Sequence, residues 1–254
     1  MNIYNGFKTM IFSDGESLQK KTIAVKGIVF YVKYFAITYP ILATLAILAH
    51  LLKWDISNHI VNGVFREAIM GHPMNAIIVI ALFAPLLEEI VFRLWLSFSK
   101  KDIAVSSFCL CYLALTFFQG TLVYPKLITY GLQGFTDSAF LTAVGSKLLW
   151  SFLASGLTVA IFTMLQSRIT PKVKDVAAAA SVLLFMLLHV TNYDLSLPLL
   201  PLAVIMCTPQ LLLGITATYF RRHLGFFYGY LLHILVNFIT VSGYILNGQN
   251  VLGS

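Results

Sequence analysis

Two adjacent carboxylates and a guanidinium lie within an apolar stretch of this sequence. Glu88 and Glu89 stand side by side in the segment PLLEEIVFR, and Arg93 follows Glu89 by four residues. Each ionised group near the centre of a bilayer costs at least ~2.5 kcal/mol, so three of them in one apolar helix indicate a function. Glu89 and Arg93 have the spacing of a helical ion pair with the acid first, which is the favourable order. That pair leaves Glu88, about 100° away around the helix, for other chemistry.

Two more pairs of chemically distinctive residues occur in later apolar stretches, each with a spacing of four residues. Phe185 and His189 share one helical face, and so do His233 and Asn237. A lone histidine in an apolar helix is more often a hydrogen-bonded packing residue than a catalyst. An asparagine at this spacing suits the task of holding a neighbouring group or fixing an imidazole tautomer. Each pair is therefore a weak signal by itself.

The depth of these residues favours one shared site. Counted at 1.5 Å per residue from the inner end of each apolar stretch, Glu88 lies ~15 Å deep, His189 ~20 Å and His233 ~14 Å. A bundle that brings the three faces together would hold one polar chamber at mid-membrane, which indicates a functional site. A buried glutamate can act as a general base on water, and histidine and asparagine can donate hydrogen bonds to an oxyanion. These residues therefore predict hydrolysis of an amide inside the membrane.

The residue types alone do not exclude a catalytic metal ion. Two histidines and a glutamate would also satisfy a catalytic zinc with one open position. The sequence contains no His-Glu-x-x-His, no Gly-x-Gly-Asp and no Gly-x-Ser-Gly, which are the usual signatures of other intramembrane proteases. We expect no cofactor, with zinc as the alternative.

The three motifs, taken in order, resemble a known family. Glu-Glu-x-x-x-Arg, Phe-x-x-x-His and His-x-x-x-Asn, each in its own apolar stretch, are similar to the motifs of the CPBP family. These are the CAAX proteases and bacteriocin-processing enzymes, also called the Abi family. The resemblance implies an intramembrane endopeptidase with a glutamate-dependent mechanism. It also implies a role for each residue: a base that activates water (Glu88), two residues that support it (Glu89, Arg93), a histidine that acts on the nucleophile or the intermediate (His189), and an oxyanion side (His233, Asn237).

The resemblance extends to substrate and biological role. It implies a peptide or a prenylated, membrane-associated protein as substrate, membrane lipid as the surroundings, and bacteriocin self-immunity or peptide maturation as the process. Leu94 departs from the family, which commonly has glycine directly after the motif arginine. We expect that difference to alter helix packing more than chemistry.

The composition places most of the chain in lipid. Its 254 residues are 59% hydrophobic and only 11% charged, and the mean hydropathy is +0.85. Soluble domains contain roughly 45–50% apolar and about 25% charged residues. The net charge of +7 does not indicate nucleic acid, because the basic residues form short clusters between apolar stretches. Cys109, Cys111 and Cys207 fit neither a disulfide framework nor a zinc ribbon.

The elements that must position the motifs are membrane-spanning helices. A crossing needs ~20 apolar residues, and seven stretches reach or approach that length: 27–52, 74–98, 103–124, 139–165, 176–190, 197–220 and 224–246. We predict an all-α, polytopic transmembrane helix bundle of about seven to eight helices, the eighth being an interfacial helix at 58–71. A break in the fourth stretch near Gly145 and Lys147 is left open.

The distribution of Lys and Arg predicts the orientation. With the amino terminus inside, the inner segments carry Lys20, Lys21, Lys26, Lys100, Lys101, Arg168, Lys172, Lys174, Arg221 and Arg222, and the outer ones carry Lys53, Arg66 and Lys126. This bias follows the positive-inside rule. We therefore predict a multi-pass protein of the cell membrane, with a cytoplasmic segment at 1–26, a transmembrane protease-like domain at 27–246 and a short tail at 247–254. The polar first ~25 residues do not predict a cleavable signal peptide.

Two non-enzymatic interpretations compete with hydrolysis. A membrane immunity or scaffold protein would retain the fold, bind a peptide or partner, and tolerate isosteric changes in the motifs. A transporter or proton relay would use the same buried carboxylates and would favour a pseudo-symmetric pair of broken helices. The sequence shows no internal repeat, so the transporter is the less favoured of the two.

Overall fold

The computed structural model describes residues 19–53, 63–118, 128–129, 138–193 and 199–252, with the side chains of 63–65, 117–118, 138–143 and 248–252 outside the description. All regular elements in these ranges are helical, as predicted. The helices are α1 (Lys20–Leu51), α2 (Gly63–Gly71), α3 (Pro73–Phe92), α4 (Lys100–Phe118), α5 (Ser138–Leu165), α6 (Pro171–Val190), α7 (Leu200–Met206), α8 (Thr208–His223) and α9 (Phe226–Leu252).

Within the described ranges, five helices are long and apolar enough to cross a membrane: α1, α3, α5, α6 and α9. The pair α7 and α8, bent by 46° at a short break, makes a sixth crossing if it is one span. The polytopic helical architecture is therefore as predicted. The third predicted stretch, 103–124, coincides with α4 up to its end and then continues into residues outside the description.

Several helix bounds differ from the predicted stretches. The break left open near Gly145 and Lys147 does not occur, because α5 is continuous through both residues. Helix α6 begins at Pro171, five residues before the predicted stretch, which makes it long enough to span. Helix α1 begins inside the predicted cytoplasmic segment, and α9 continues into the predicted tail. Helix α2 lies within the predicted interfacial segment, of which residues 58–62 are outside the description.

The chain divides into two compact units, and α1, α6, α7 and α8 belong to the first. In this unit α8 packs against both α1 and α6. Nine consecutive residues of α8, from Leu212 to Phe220, are therefore buried. Gly27 of α1 lies directly against the ring of Phe220, so the close approach of the two helices depends on the absence of a side chain there. At the ends of these helices Arg222 forms an ion pair with Asp175 at 2.8 Å.

The second unit contains α2 to α5 and the part of α9 from Tyr230 onward. Hydroxyl groups join its helices: Ser155 Oγ donates to the carbonyl of Ala104 at 2.8 Å, and Ser106 Oγ donates to that of Ile90 at 2.7 Å. An apolar cluster connects α2, α3 and α9 through Ala68, Ile69, Ala76, Val79, Ala81, Ile128, Val241 and Ile245. These contacts fix α3 and α9 relative to each other within the unit.

Helix α3 contains a wide π-helical segment, Ile77–Phe83, which ends just before Pro85. Proline has no amide hydrogen, and in a regular α-helix its ring clashes with the carbonyl four residues earlier. Here that carbonyl belongs to Ala81, and the wider turns relieve the clash. After Phe92 the chain makes a short 3-10 turn, and Phe98 takes a left-handed conformation with φ of 56°. The helix that carries the carboxylates therefore ends directly after them.

Candidate active site

The last turns of α3 carry the two adjacent carboxylates and the guanidinium. Arg93 Nη1 donates a hydrogen bond to Glu89 Oε1 at 2.8 Å, and both side chains are fully buried. The amide of Arg93 still donates to the carbonyl of Glu89, which holds the arginine one helical turn from its partner. The ion pair predicted from the spacing is confirmed.

A histidine from α9 lies between the two carboxylates. His233 Nδ1 is 2.9 Å from Glu89 Oε1, and His233 Nε2 is 3.5 Å from Glu88 Oε2. The imidazole is almost completely buried. Glu88, for which the sequence offered no local partner, therefore faces a histidine 145 positions further along the chain, and both belong to the second unit.

The four side chains form a compact network that can be electrically balanced. A nitrogen that contacts an ionised carboxylate carries a hydrogen, and both ring nitrogens do so only in the imidazolium form. With His233 in that form, two negative charges face two positive charges (His233 and Arg93). Buried ionised groups need such compensation, because an uncompensated charge in an apolar interior costs several kcal/mol.

Glu88 and Glu89 have different surroundings although they are neighbours in sequence. The side chain of Glu88 is 17% exposed, whereas that of Glu89 is 1% exposed. The 3.5 Å between Glu88 and the imidazole also exceeds an ordinary N–H···O hydrogen bond, which measures 2.7–3.2 Å. Glu88 is therefore the less enclosed of the two carboxylates, and its exposed part is not the Oε2 atom that faces the imidazole.

Asn237 lies one turn after His233 and contacts the backbone of α3. Its Nδ2 donates to the carbonyl of Ile80 at 3.0 Å, inside the π-helical segment. Sequence reasoning missed a second such residue, Tyr230, whose hydroxyl donates to the carbonyl of Leu82 at 3.1 Å. Tyr230, His233 and Asn237 follow a helical stripe of three and four residues on α9, and this periodicity could have identified the tyrosine.

His189 belongs to the first unit, and the other five predicted residues belong to the second. The Nδ1 atom of His189 is 2.8 Å from the carbonyl oxygen of Phe185. The centroids of the two rings are 4.6 Å apart, in an edge-on arrangement. A carbonyl only accepts, so Nδ1 carries the hydrogen, and in the neutral ring Nε2 has the lone pair. The predicted meeting of His189 with the carboxylates stays a prediction.

No protein-family model, curated protein or solved structure matches this chain. The resemblance to the CPBP family therefore rests on the three motifs.

The zinc alternative, which needs two histidines and a glutamate, stays a prediction, because His189 and His233 belong to different units. A catalytic zinc needs three protein ligands around one point. Among the residues that the structure describes, no group of three His, Cys, Asp or Glu side chains could hold a metal ion. Both nitrogens of His233 face carboxylate oxygens, so neither points to a shared centre with a third ligand. We derive no catalytic step through a metal.

Proposed function

We propose that this chain is an intramembrane endopeptidase of the CPBP type, which hydrolyses a peptide or a lipidated protein through water activated by Glu88. One observation carries the proposal: the partly exposed carboxylate of Glu88 lies beside a buried network of Glu89, Arg93 and His233 that joins two apolar helices. A group that only joined helices would need the buried ion pair and no second, partly exposed carboxylate beside it.

In the proposed first step, the carboxylate of Glu88 removes a proton from water. The resulting hydroxide attacks the carbonyl carbon of the scissile peptide bond, and the carbonyl oxygen becomes a tetrahedral oxyanion. A positioned general base contributes about 10²–10⁴-fold to such a step. When the intermediate collapses, the C–N bond breaks and the proton held by Glu88 passes to the leaving amine. The products are one carboxylic acid and one amine.

His233 is placed to stabilise the intermediate. Its Nε2–H lies 3.5 Å from Glu88 Oε2, so an oxyanion formed beside Glu88 can accept this hydrogen bond. Glu89 holds the other ring nitrogen at 2.9 Å and thereby fixes the orientation of the imidazole. Arg93 compensates the charge of Glu89. The resemblance implies that His189 acts on the nucleophile or the intermediate, and this role stays a prediction.

We also propose that the chain crosses the cell membrane seven times, with its amino terminus inside. The crossings are the five apolar helices, the bent pair α7 and α8, and α4. The role that the resemblance implies, bacteriocin self-immunity or peptide maturation, requires a substrate delivered from or into the lipid. A site at the end of a membrane helix is suited to such a substrate.

Hydrolysis is tested with the purified full-length protein in lipid vesicles. The probes are a quenched fluorescent peptide with an S-farnesylated cysteine near its carboxyl end and the same peptide without the lipid, each with and without a chelator. We expect cleavage that the chelator does not affect and that Glu88→Gln lowers at least about 100-fold. Glu67→Gln is the matched control, because Glu67 is an exposed carboxylate on α2. Equal rates for Glu88→Gln and the wild type would exclude this mechanism.

A further inference from the structure

The π-helical segment of α3 determines where the carboxylates point. In a regular α-helix each residue adds about 100° of rotation, so one extra residue in a wide turn rotates everything after it by about that angle. Glu88 and Glu89 come directly after the segment Ile77–Phe83. Loss of the wide turns would therefore turn both carboxylates by about a quarter of a circle relative to His233.

Pro85 leaves a carbonyl in this segment without its helical donor. The amide of Ala84 donates to Val79, five residues back, in the π-helical pattern. The next donor in that pattern would be the amide of residue 85 toward the carbonyl of Ile80, but Pro85 has no N–H. A backbone carbonyl in an apolar surrounding needs a donor. Asn237 supplies it, through Nδ2 at 3.0 Å.

Tyr230 holds the same segment at a second point. Its hydroxyl donates to the carbonyl of Leu82 at 3.1 Å, two residues after the carbonyl that Asn237 contacts. His233 lies between Tyr230 and Asn237 on the same stripe of α9. One face of α9 thus contacts the wide turns at two points and the carboxylates at a third.

We propose that Asn237 and Tyr230 are positioning residues, which lock the wide turns of α3 so that Glu88 and Glu89 both face His233. The inference rests on the proposed function for its catalytic consequence, and its structural part is independent of that function. It assigns Asn237 a task on the protein backbone instead of the oxyanion role that the resemblance implies. It adds Tyr230, which no motif includes.

The structural part is tested by cysteine labelling in full-length protein from which Cys109, Cys111 and Cys207 have been removed. Glu88→Cys and Val91→Cys are compared, because Glu88 is 17% exposed and Val91 is 5% exposed. Neither change touches Glu89 or Arg93. With a small water-soluble thiol reagent we expect Glu88→Cys to react at least about tenfold faster than Val91→Cys. Adding Tyr230→Phe and Asn237→Leu should bring the two rates to within about twofold of each other.

The catalytic part is tested with the farnesylated fluorescent peptide. A displacement of about 1 Å costs on the order of 100-fold in rate, so we expect Asn237→Leu to lower kcat by about that factor with KM little changed. Tyr230→Phe should lower kcat about tenfold. If both residues act through one segment, the loss in the double variant is much smaller than the product of the two single losses. Tyr228→Phe is the control, because this tyrosine is 40% exposed on the same helix.

The outcomes separate this inference from the proposed function. A labelling ratio that the two substitutions leave unchanged would overturn the positioning role, whatever the activity. A changed ratio without peptide cleavage by the wild type would support the positioning role and reject the peptidase. If the kcat losses of the two single variants multiply in the double variant and the labelling ratio is unchanged, Asn237 has the oxyanion role that the resemblance implies.

Discussion

Glu89 and His233 are joined by a hydrogen bond of 2.9 Å, although 144 residues separate them in the chain. The bond joins the last turns of α3 to α9 in the second unit, and both side chains are buried. Because Glu89 Oε1 also accepts a hydrogen bond from Arg93, one carboxylate oxygen contacts both Arg93 and His233. The site is therefore organised around the buried carboxylate of Glu89.

The two glutamates should respond differently to the same substitution. Glu89→Gln removes the charge that compensates Arg93 and His233, and breaking a buried ion pair from one side costs about 3–5 kcal/mol of unfolding free energy. Glu88→Gln should lower cleavage at least about 100-fold and destabilise the protein less than Glu89→Gln does, because Glu88 is the more exposed of the two. Thermal unfolding and peptide cleavage are measured on both variants. Equal destabilisation by the two substitutions would contradict the assigned roles.

Removal of both partners of the ion pair should be less damaging than removal of one. Arg93→Met leaves the buried Glu89 facing only His233, whereas Glu89→Leu combined with Arg93→Met removes both charges. We expect the double variant to unfold at a higher temperature than Arg93→Met alone, since an unpaired buried charge is the costly state. An additive loss of stability would show that the two side chains do not compensate each other.

We expect the two ring nitrogens of His189 to have separate tasks. Nδ1 donates a hydrogen bond to the backbone of its own helix, and Nε2 takes part in peptide cleavage. In His189→Asn the amide nitrogen takes the place of Nδ1 and can still donate to the carbonyl of Phe185. We expect an unchanged unfolding temperature and a cleavage rate lowered at least about 100-fold. His50→Asn, at an exposed histidine near the end of α1, should change neither quantity. Full activity of His189→Asn would remove this residue from the mechanism.

The packing of α1 against α8 should be sensitive to a single methyl group. A Cβ at position 27 would collide with the ring of Phe220, which is itself buried, so Gly27→Ala should cost about 1–3 kcal/mol. Gly27→Ala combined with Phe220→Leu should recover part of the loss. Gly156→Ala is the matched control, because a Cβ there meets no atom within 4 Å and alanine favours the helix. A similar unfolding temperature for the two alanine variants would contradict this packing.

Labelling near the two ends of the described chain tests whether the number of crossings is odd or even. Single cysteines are introduced as Lys20→Cys and Asn247→Cys into protein without its natural cysteines, and intact cells are treated with a maleimide that does not cross membranes. Seven crossings place the two positions on opposite sides, and the positive-inside rule puts Asn247 outside. We therefore expect labelling of Asn247→Cys only. The same result at both positions, labelled or unlabelled, would mean an even number of crossings and would contradict seven.

Composition and local spacing were sufficient to predict the helices and one contact of the site. In lipid the backbone polar groups must be satisfied within helices or a closed barrel, and apolar stretches of about 20 residues select helices. The Glu89–Arg93 pair was predictable because residues four apart share a helical face, whatever surrounds the helix. The partners of His189 could not be predicted in this way, because contacts between helices depend on packing.

Tertiary structure alone decided which carboxylate is the more exposed and which histidine lies between the two. Glu88 and Glu89 are chemically identical, and their environments differ because Glu89 is buried against both Arg93 and His233, whereas Glu88 is partly exposed beside His233. The wide turns before Pro85 rotate the carboxylates by an angle that a sequence read as a regular helix does not contain. The task of Asn237 was likewise hidden, because its acceptor is a backbone carbonyl on another helix. Residue types specify which chemistry is available, and helix packing specifies which atoms meet.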